Sequence, residues 1–152
     1  MARVAAVVSN GCNPDPRVLR EAGWLVAAGH DVTIHAFDRL EDLQKETIID
    51  GVKIVRHCVG YTPYGGTLST VRGLSKFRKA VIAAIGEIDL IHCHDADTLG
   101  IGLQVAKRSH VGGNPSIPVL FDMHDLHHTW VLMPKPKSLF RRLLRVDFVE
   151  KC

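Results

Sequence analysis

The chain has 152 residues, of which 46% are hydrophobic and 23% are charged, and its formal net charge is +3. This is an ordinary globular composition, and its apolar stretches are too short to span a bilayer. The mild positive charge comes without a stripe of basic residues interleaved with aromatic ones, so we expect no nucleic-acid partner. The N-terminal apolar run predicts a first strand rather than a signal peptide. Together these features predict a single cytoplasmic domain over residues 1–152.

The four cysteines, Cys12, Cys58, Cys93 and Cys152, show no metal-ligand or redox-motif spacing. Cys58 and Cys93 fall in strand-like runs, where we expect them to act as small buried hydrophobic residues. Free thiols are typical of a reducing compartment.

The first third of the chain alternates strand and helix. Continuous apolar runs predict strands, and apolar residues at helical spacing predict a helix with Asp15 as N-cap, Pro16 in the first turn and Gly29 at the end. The predicted elements are a strand over Arg3–Ser9, a loop over Asn10–Asp15, this helix, a strand over Asp31–Phe37 and a polar loop or short irregular helix over Arg39–Asp50.

The remaining chain continues the alternation. We predict a strand near an edge over Gly51–Cys58, a loop over Gly60–Thr67, helices over Leu68–Ile85 and Ala96–Ser109, a central strand over Asp89–Cys93, a turn over His110–Pro118, a strand over Val119–Met123, a loop over His124–Lys137 and a basic amphipathic helix over Ser138–Lys151.

This order of elements predicts an α/β three-layer, Rossmann-like domain with a mostly parallel sheet. The final helix should be followed by a further strand, and the sequence stops at Cys152. We therefore expect the front part of a longer protein, lacking its last strand or strands.

Polar residues follow each predicted strand. The carboxyl ends of parallel strands meet at one edge of the sheet, which is where ligands bind in open α/β folds. The side chains expected at this edge are Ser9, Asn10, Asn13, Asp15, Asp38, His94, Asp95, Asp97, His124, Asp125, His127 and His128.

The loop after the first strand argues against a dinucleotide cofactor. A dinucleotide-binding turn needs three glycines for close backbone approach to the pyrophosphate, and the segment Ser9–Pro14 has only Gly11. Asp38 stands where a ribose-binding acid would stand, but without those glycines a solvated strand-end carboxylate is the favoured interpretation.

His92 and His94 are two apart in a predicted strand and so share one face. A metal site would need a third ligand, for which Asp95, His124 and His127 are candidates, but no established metal-ligand spacing accompanies them. We therefore predict no metal. The alternative is that His92 is a hydrogen-bonded core residue and that His94 alone reaches the cleft, where imidazole suits proton transfer near neutral pH.

The other polar strand ends allow two interpretations each. Asp95 and Asp97 could act as helix N-caps, and for Asp97 this is favoured. His127 and His128 are as consistent with exposed loop residues as with a site. The basic helix over Ser138–Lys151 has an apolar side that suits core packing and equally an anionic membrane surface, and core packing is favoured.

Three segments together resemble the retaining family-4 glycosyltransferases, which have the GT-B fold. The first is Asp15-Pro16-Arg17-Val18 with Arg20-Glu21-Ala22 and the stretch Ala28–Ile34. The second is Asp89–Asp95, similar to the family's D-hydrophobic-hydrophobic-H-x-H-D segment, and the third is Val119–Leu126, similar to its hydrophobic-Y-D-x-H-E-L segment. The resemblance covers almost the whole chain.

The resemblance implies that this chain is the N-terminal, acceptor-side half of a GT-B fold, with the nucleotide-sugar domain and its Glu-x7-Glu motif absent. It implies a nucleotide-sugar as co-substrate, a sugar, lipid or other acceptor, no metal or other cofactor, and for some members peripheral contact with the inner face of a membrane. By the same resemblance His94 and Asp95 are the expected catalytic residues, and the expected substrate-binding residues are Asn10, Gly11, Asn13, Asp15, Arg17, His124 and Asp125. The loop over Asn10–Asp15 lacks the double glycine of many relatives.

Two alternatives stay open. The chain could be a stand-alone nucleotide-binding or regulatory α/β domain, which would bind a nucleotide tightly by itself. It could also belong to a sugar-nucleotide epimerase with the GT-B fold, which analysis of the products would distinguish from a transferase.

Overall fold

The computed structural model describes residues 1–62, 67–111 and 116–123. Within these ranges the chain forms six strands and three helices, all in one compact unit, Met1–Asp122. In chain order they are β1 (Arg3–Val8), α1 (Pro16–Ala27), β2 (Asp31–Asp38), β3 (Glu46–Ile49), β4 (Val52–Cys58), α2 (Thr67–Ala84), β5 (Leu90–His94), α3 (Ala96–Val111) and β6 (Val119–Asp122). The predicted loop over His124–Lys137 and helix over Ser138–Lys151 lie outside the described residues, and the single domain over residues 1–152 stays a prediction.

The strands form one sheet in the order β3-β4-β2-β1-β5-β6. All neighbouring pairs are parallel except β3 and β4. The predicted α/β, mostly parallel architecture is confirmed. One position is corrected, because β1 and β2 occupy the middle, and β5, predicted to be central, lies between β1 and β6. A continuous apolar run shows that both faces of a strand are covered. It does not show how many strands lie on either side of that strand in the sheet.

The edge strand β3 lies in a segment that we predicted to be loop or irregular helix. It pairs with β4 through the turn Asp50-Gly51, whose φ angles of 48° and 81° are both left-handed. An Asp-Gly pair with two positive φ angles is the signature of a two-residue hairpin turn. The prediction was wrong because the strand has only four residues and is largely exposed, with Ile48 75% accessible, so burial leaves no pattern in its sequence.

Helices cover the two faces of the sheet with separate apolar clusters. Helix α1 packs Val18 and Ala22 on the face formed by even-numbered residues such as Ile34 and Ile54. Helices α2 and α3 cover the opposite face, where Phe77 stacks on Phe37 with 4.8 Å between ring centroids. In β1, β2, β4 and β5 the even-numbered residues therefore face α1, and the odd-numbered ones face α2 and α3.

Helix α1 begins and ends as its sequence predicts. The Asp15 carboxylate accepts a hydrogen bond from the Val18 amide, and Pro16 occupies the first turn, where the chain needs no amide donor. Gly29 follows the cap residue Ala28 with a φ of 85°, a left-handed conformation that glycine adopts without strain. These caps fix where the loop between β1 and α1 ends.

The described cysteines agree with the prediction in part. Cys93 is fully buried, but Cys58, the last residue of β4, is exposed. None of the described helices is long and apolar enough to cross a membrane.

Candidate functional site

The loops that follow β1 and β5 and the end of β6 meet at the carboxyl edge of the sheet. The Asp95 amide donates to the Asp122 carbonyl over 2.9 Å, which joins the end of β5 to that of β6. The Arg17 guanidinium lies 3.5 Å from the Asp95 carboxylate, which joins α1 to β5. The edge that the sequence predicted is therefore where these polar residues gather.

The loop between β1 and α1 is organised by its own side chains. Asn10 accepts a hydrogen bond from the Cys12 amide over 2.8 Å and donates from its amide nitrogen to Asp15 over 2.9 Å. Burial alone raises the pKa of Asp15, but the hydrogen bonds from Asn10 and from the Val18 amide outweigh it and hold that pKa below its usual value. Asn10 and Asp15, both predicted to bind substrate, thus also shape the loop.

Gly11 and Asn13, the other predicted binding residues of this loop, border a groove of about 320 Å³ between the loop and the segment after β2. Asn13 is exposed and Gly11 is partly exposed. Between them, Cys12 is fully buried and has a φ of 47°, a left-handed conformation that costs energy in a residue with a side chain. The buried thiol anchors the loop while the residues on either side reach the groove.

A buried arginine supports this loop from the sheet, and we did not single it out from the sequence. Arg56 on β4 is 4% exposed and donates to the Gly11 carbonyl over 2.8 Å and to the Cys12 carbonyl over 3.3 Å. It also donates to the Gln44 carbonyl and the Thr47 hydroxyl, both over 2.9 Å. The one signal in the sequence is a charged residue on the otherwise apolar face of a strand.

Arg39 supports the start of the same loop. Its Nε donates to the Ser9 carbonyl over 3.0 Å, and its guanidinium lies 4.8 Å from the centroid of the Phe37 ring. The two arginines together hold the β1–α1 loop by the carbonyl oxygens of Ser9, Gly11 and Cys12.

Two histidines and two carboxylates form the centre of the edge. The rings of His92 and His94 lie 4.0 Å apart between centroids, on the face of β5 that α1 covers, as their spacing predicts. His94 Nδ1 lies 3.9 Å from carboxylate oxygens of both Glu21 and Asp122, and His92 Nε2 lies 4.0 Å from the same Glu21 oxygen. The interpretation that only His94 reaches a cleft needs correction, because His94 is 1% exposed and His92 is 6% exposed.

His94 stays neutral at physiological pH. Burial, with smaller effects from His92 and the cation of Arg17, lowers its pKa to about 4, although Asp122 and Asp15 act in the opposite direction. A neutral imidazole offers one N–H donor and one acceptor nitrogen. Such a group can hydrogen-bond a sugar hydroxyl or hold a metal ion.

Asp95 adopts a strained backbone conformation directly after β5. Its φ of 69° is left-handed, and the Thr98 hydroxyl fixes it by donating to the carbonyl oxygens of His94 over 2.7 Å and of Asp95 over 3.0 Å. Its Oδ1 is buried and accepts no hydrogen bond within the described chain, while its Oδ2 faces Arg17. Strain that the surroundings enforce, next to an unsatisfied carboxylate oxygen, is a feature of functional sites.

Two other acidic residues differ from their predictions. Asp97 is not an N-cap, because α3 already begins at Ala96 and places Asp97 inside its first turn. Asp38 is not solvated but 1% exposed, and its carboxylate accepts hydrogen bonds from the backbone amides of Leu40, Glu41 and Leu43. It closes the turn after β2, a role that no pattern in the sequence marks.

The predicted residues thus fall into three groups. His94, Asp95 and Arg17 lie together with the loop residues Asn10 and Asp15, and Gly11 and Asn13 border the groove beside that loop. His124 and Asp125 lie outside the described residues, as do the possible metal ligands His124 and His127. Glu21 and Asp122 were missed as members of the site, although Glu21 is one helical turn after Arg17 and Asp122 lies next to the end of a predicted strand.

The sequence matches one known family over most of its length. The family profile described as Glycosyltransferase Family 4 matches residues 17–149, most of the chain. The chain belongs to glycosyltransferase family 4. No curated protein matches the sequence closely enough to add a relative.

Solved structures show the same fold in larger proteins. Sucrose-phosphate synthase from Thermosynechococcus elongatus matches 97% of this chain with a TM-score of 0.67 and 18% sequence identity. An E. coli structure of trehalose-6-phosphate bound with UDP-2-fluoro glucose matches 97% of this chain with a TM-score of 0.55 and 13% identity. The family-4 chain spans 39% and 37% of these two proteins, respectively, and has the Rossmann-like fold of the N-terminal half of a GT-B glycosyltransferase.

Proposed function

We propose that this chain is the acceptor-side domain of a retaining glycosyltransferase of the hexosyltransferase type, which transfers a sugar from a nucleotide-sugar to an acceptor. The observation that carries the proposal is the meeting of His94, strained Asp95 and Arg17 with the β1–α1 loop at the carboxyl edge of the sheet. Membership of glycosyltransferase family 4 supports sugar transfer as the reaction at this edge.

His94 and Asp95 are the proposed catalytic residues. Although His94 is buried in this structure, we assign to its neutral imidazole the hydrogen bond to the transferred sugar, near the anomeric carbon, that the family resemblance implies. The Asp95 carboxylate, held by Arg17, shapes the pocket and offers a fixed negative charge. Catalysis in this proposal rests on positioning and on electrostatic stabilisation by groups fixed before the substrate arrives.

The β1–α1 loop is the proposed meeting point of acceptor and donor phosphates. Asn10, Gly11, Asn13, Asp15 and Arg17 provide the contacts, and His124 and Asp125 complete the set. The nucleotide-sugar itself is bound mainly by a further domain beyond these 152 residues, because the chain spans only 39% of the sucrose-phosphate synthase that it matches. The chain alone is then expected to be inactive.

The remaining parts of the proposal concern cofactors, the cellular compartment and contact with a membrane. Transfer takes place without a metal or other cofactor, in the cytoplasm, and in peripheral contact with the inner face of a membrane. Helix α2 supports the last point, since Leu68 and Val71 are exposed on the same helix as Arg72, Lys76 and Lys79.

The first test is sugar transfer by the full-length protein with His94→Gln. We expect kcat to fall by about 10²–10³-fold, as when one preorganised hydrogen-bond donor is removed from an active site. His30→Gln is the matched control, because His30 contacts the Ala2 amide at the opposite end of the sheet. Equal loss in both variants, or none in His94→Gln, contradicts the assignment.

The second measurement is calorimetric titration of the chain itself with UDP-, GDP- and ADP-sugars. The proposal predicts very weak binding or none. Low-micromolar binding would place the nucleotide site within these residues and favour an autonomous nucleotide-binding domain.

A further inference from the structure

Glu21, His92, His94 and Asp122 each aim one potential metal ligand at the same point. The four ligand atoms all lie within 4.8 Å of one another, and they come from α1, β5 and the end of β6. We call these residues the His₂-carboxylate₂ cluster. It differs from the ligand set that the sequence suggested, since Asp95 turns to Arg17 instead.

The spacing within the cluster is too long for hydrogen bonds but close to that of ligands around one ion. The three measured separations, from His94 Nδ1 to Glu21 and Asp122 and from His92 Nε2 to Glu21, are 3.9, 3.9 and 4.0 Å. Ligands on tetrahedral Zn²⁺ at roughly 2.0–2.2 Å lie about 3.4 Å apart. With ligand atoms up to 4.8 Å apart, inward shifts of about 0.3–0.7 Å per ligand atom would complete the shell.

His94 supplies the second, independent observation. Its side chain is only 1% exposed, and its Nδ1 has no hydrogen-bond partner within the described part of the chain. A buried polar atom without a partner is costly and needs an explanation. Since Nδ1 faces two carboxylates, a cation between them would give this nitrogen the partner that it lacks.

We propose that the His₂-carboxylate₂ cluster binds one divalent transition-metal ion of the Zn²⁺ type. Two imidazole nitrogens with two carboxylate oxygens suit Zn²⁺ and Co²⁺, whereas Mg²⁺ and Ca²⁺ prefer oxygen ligands alone. The partly buried carboxylates of Glu21 and Asp122 supply the negative charge that the ion neutralises.

A metal ion in the cluster would tie α1 to the ends of β5 and β6. Coordination through Nδ1 also fixes the His94 tautomer, so that Nε2 carries the proton. The ion is thus an anchor and is not required by the proposed sugar transfer. Because metal binding is measured without donor or acceptor, failure of one proposal leaves the other standing.

The test is calorimetric titration of the metal-stripped, untagged chain with ZnCl₂ near neutral pH, and with MgCl₂ for comparison. We expect one Zn²⁺ per chain, no saturable binding of Mg²⁺, and a higher Tm with Zn²⁺ because the ion binds the folded state. Co²⁺ in place of Zn²⁺ should give the visible absorption of a tetrahedral site.

Isosteric variants locate the ion. Glu21→Gln, Asp122→Asn and His92→Gln should each weaken Zn²⁺ binding at least about 100-fold, since each removes a direct ligand and even outer-shell losses cost 10–100-fold. His35→Gln is the matched control, because it removes a histidine from the opposite face of the sheet and should leave the affinity unchanged. Circular dichroism checks that each variant folds.

Two results would overturn the proposal. One is the absence of saturable Zn²⁺ binding to the folded wild-type chain. The other is binding that persists unchanged in the three cluster variants, which would assign the ion to other histidines.

Discussion

Two pairs of histidines lie on opposite faces of the same sheet and have different surroundings. On the face covered by α2 and α3, His35 Nδ1 and His57 Nε2 are 3.0 Å apart and form a hydrogen bond with each other. On the face covered by α1, the rings of His92 and His94 are tilted by 36° to each other, without such a bond, and they face Glu21 and Asp122. The first pair satisfies itself, whereas Nδ1 of His94 has no hydrogen-bond partner among the described residues.

The charges around the pairs explain the difference. Burial, and to a smaller extent His57 and the nearby Lys53, lower the pKa of His35 to about 4, and no carboxylate opposes them. For His94 the lowering by burial is opposed by Asp122 and Asp15. The same residue type is therefore structural on one face and a candidate ligand on the other, and neighbours from distant parts of the chain decide which.

The largest expected effect comes from Arg56, a buried charge on the α1 face of the sheet. Arg56→Met leaves the carbonyls of Gly11 and Cys12 without their arginine donor, and each unsatisfied buried acceptor costs about 1–3 kcal/mol. We expect a loss of about 3 kcal/mol or more in the free energy of unfolding, measured in urea.

Arg56→Lys is the control for this substitution. It keeps the charge but loses the forked geometry, so it should recover only part of the loss. A stability of Arg56→Met within about 0.5 kcal/mol of wild type, the range of ordinary surface substitutions, would show that the arginine does not hold the loop.

The second effect is a pH dependence of stability that comes from the His35–His57 pair. Because the pKa of folded His35 is about 4 and that of an unfolded histidine is about 6.5, the unfolded chain binds more protons between these values. Stability should therefore fall as the pH drops from 6.5 to 4, and His35→Gln should reduce that fall by about 2–3 kcal/mol. Urea unfolding at several pH values measures it, and parallel curves for variant and wild type would refute the effect.

The smallest expected effects are changes in stability when a methyl group is added to one helix on each face of the sheet. A Cβ on Gly102 of α3 would lie 2.5 Å from Cys93 Sγ and 2.9 Å from Val119 Cγ1, so Gly102→Ala should lower stability by about 1–2 kcal/mol. A Cβ on Gly23 of α1 meets nothing within 4 Å, and Gly23→Ala should raise stability by about 0.5–1 kcal/mol. Thermal unfolding of both variants tests the contrast, and a change of the same sign in both would contradict it.

The sequence predicted most of the elements because their signals are local. Asp15, Pro16 and Gly29 mark the ends of α1, and continuous apolar runs mark the buried parallel strands. It missed β3, whose only strong signal is the Asp-Gly turn, because an exposed edge strand has no burial pattern.

The candidate site was predicted in part for the same reason. His94, Asp95 and the β1–α1 loop follow strands directly, so topology alone brings them to one edge. Glu21, Arg56 and Asp38 could not be assigned, since their roles depend on contacts with residues remote in the chain, such as the 44 positions that separate Arg56 from Cys12.

The sequence by itself determined the alternation of strands and helices, the edge at which polar residues collect and, through its motifs, the family. Only the tertiary structure decided which polar residues face one another: Glu21 and Asp122 with the histidine pair, and Arg56 beneath the loop. The physical reason is that periodicity and capping act over a few residues, whereas charge pairing and burial act between segments that only the folded sheet brings together.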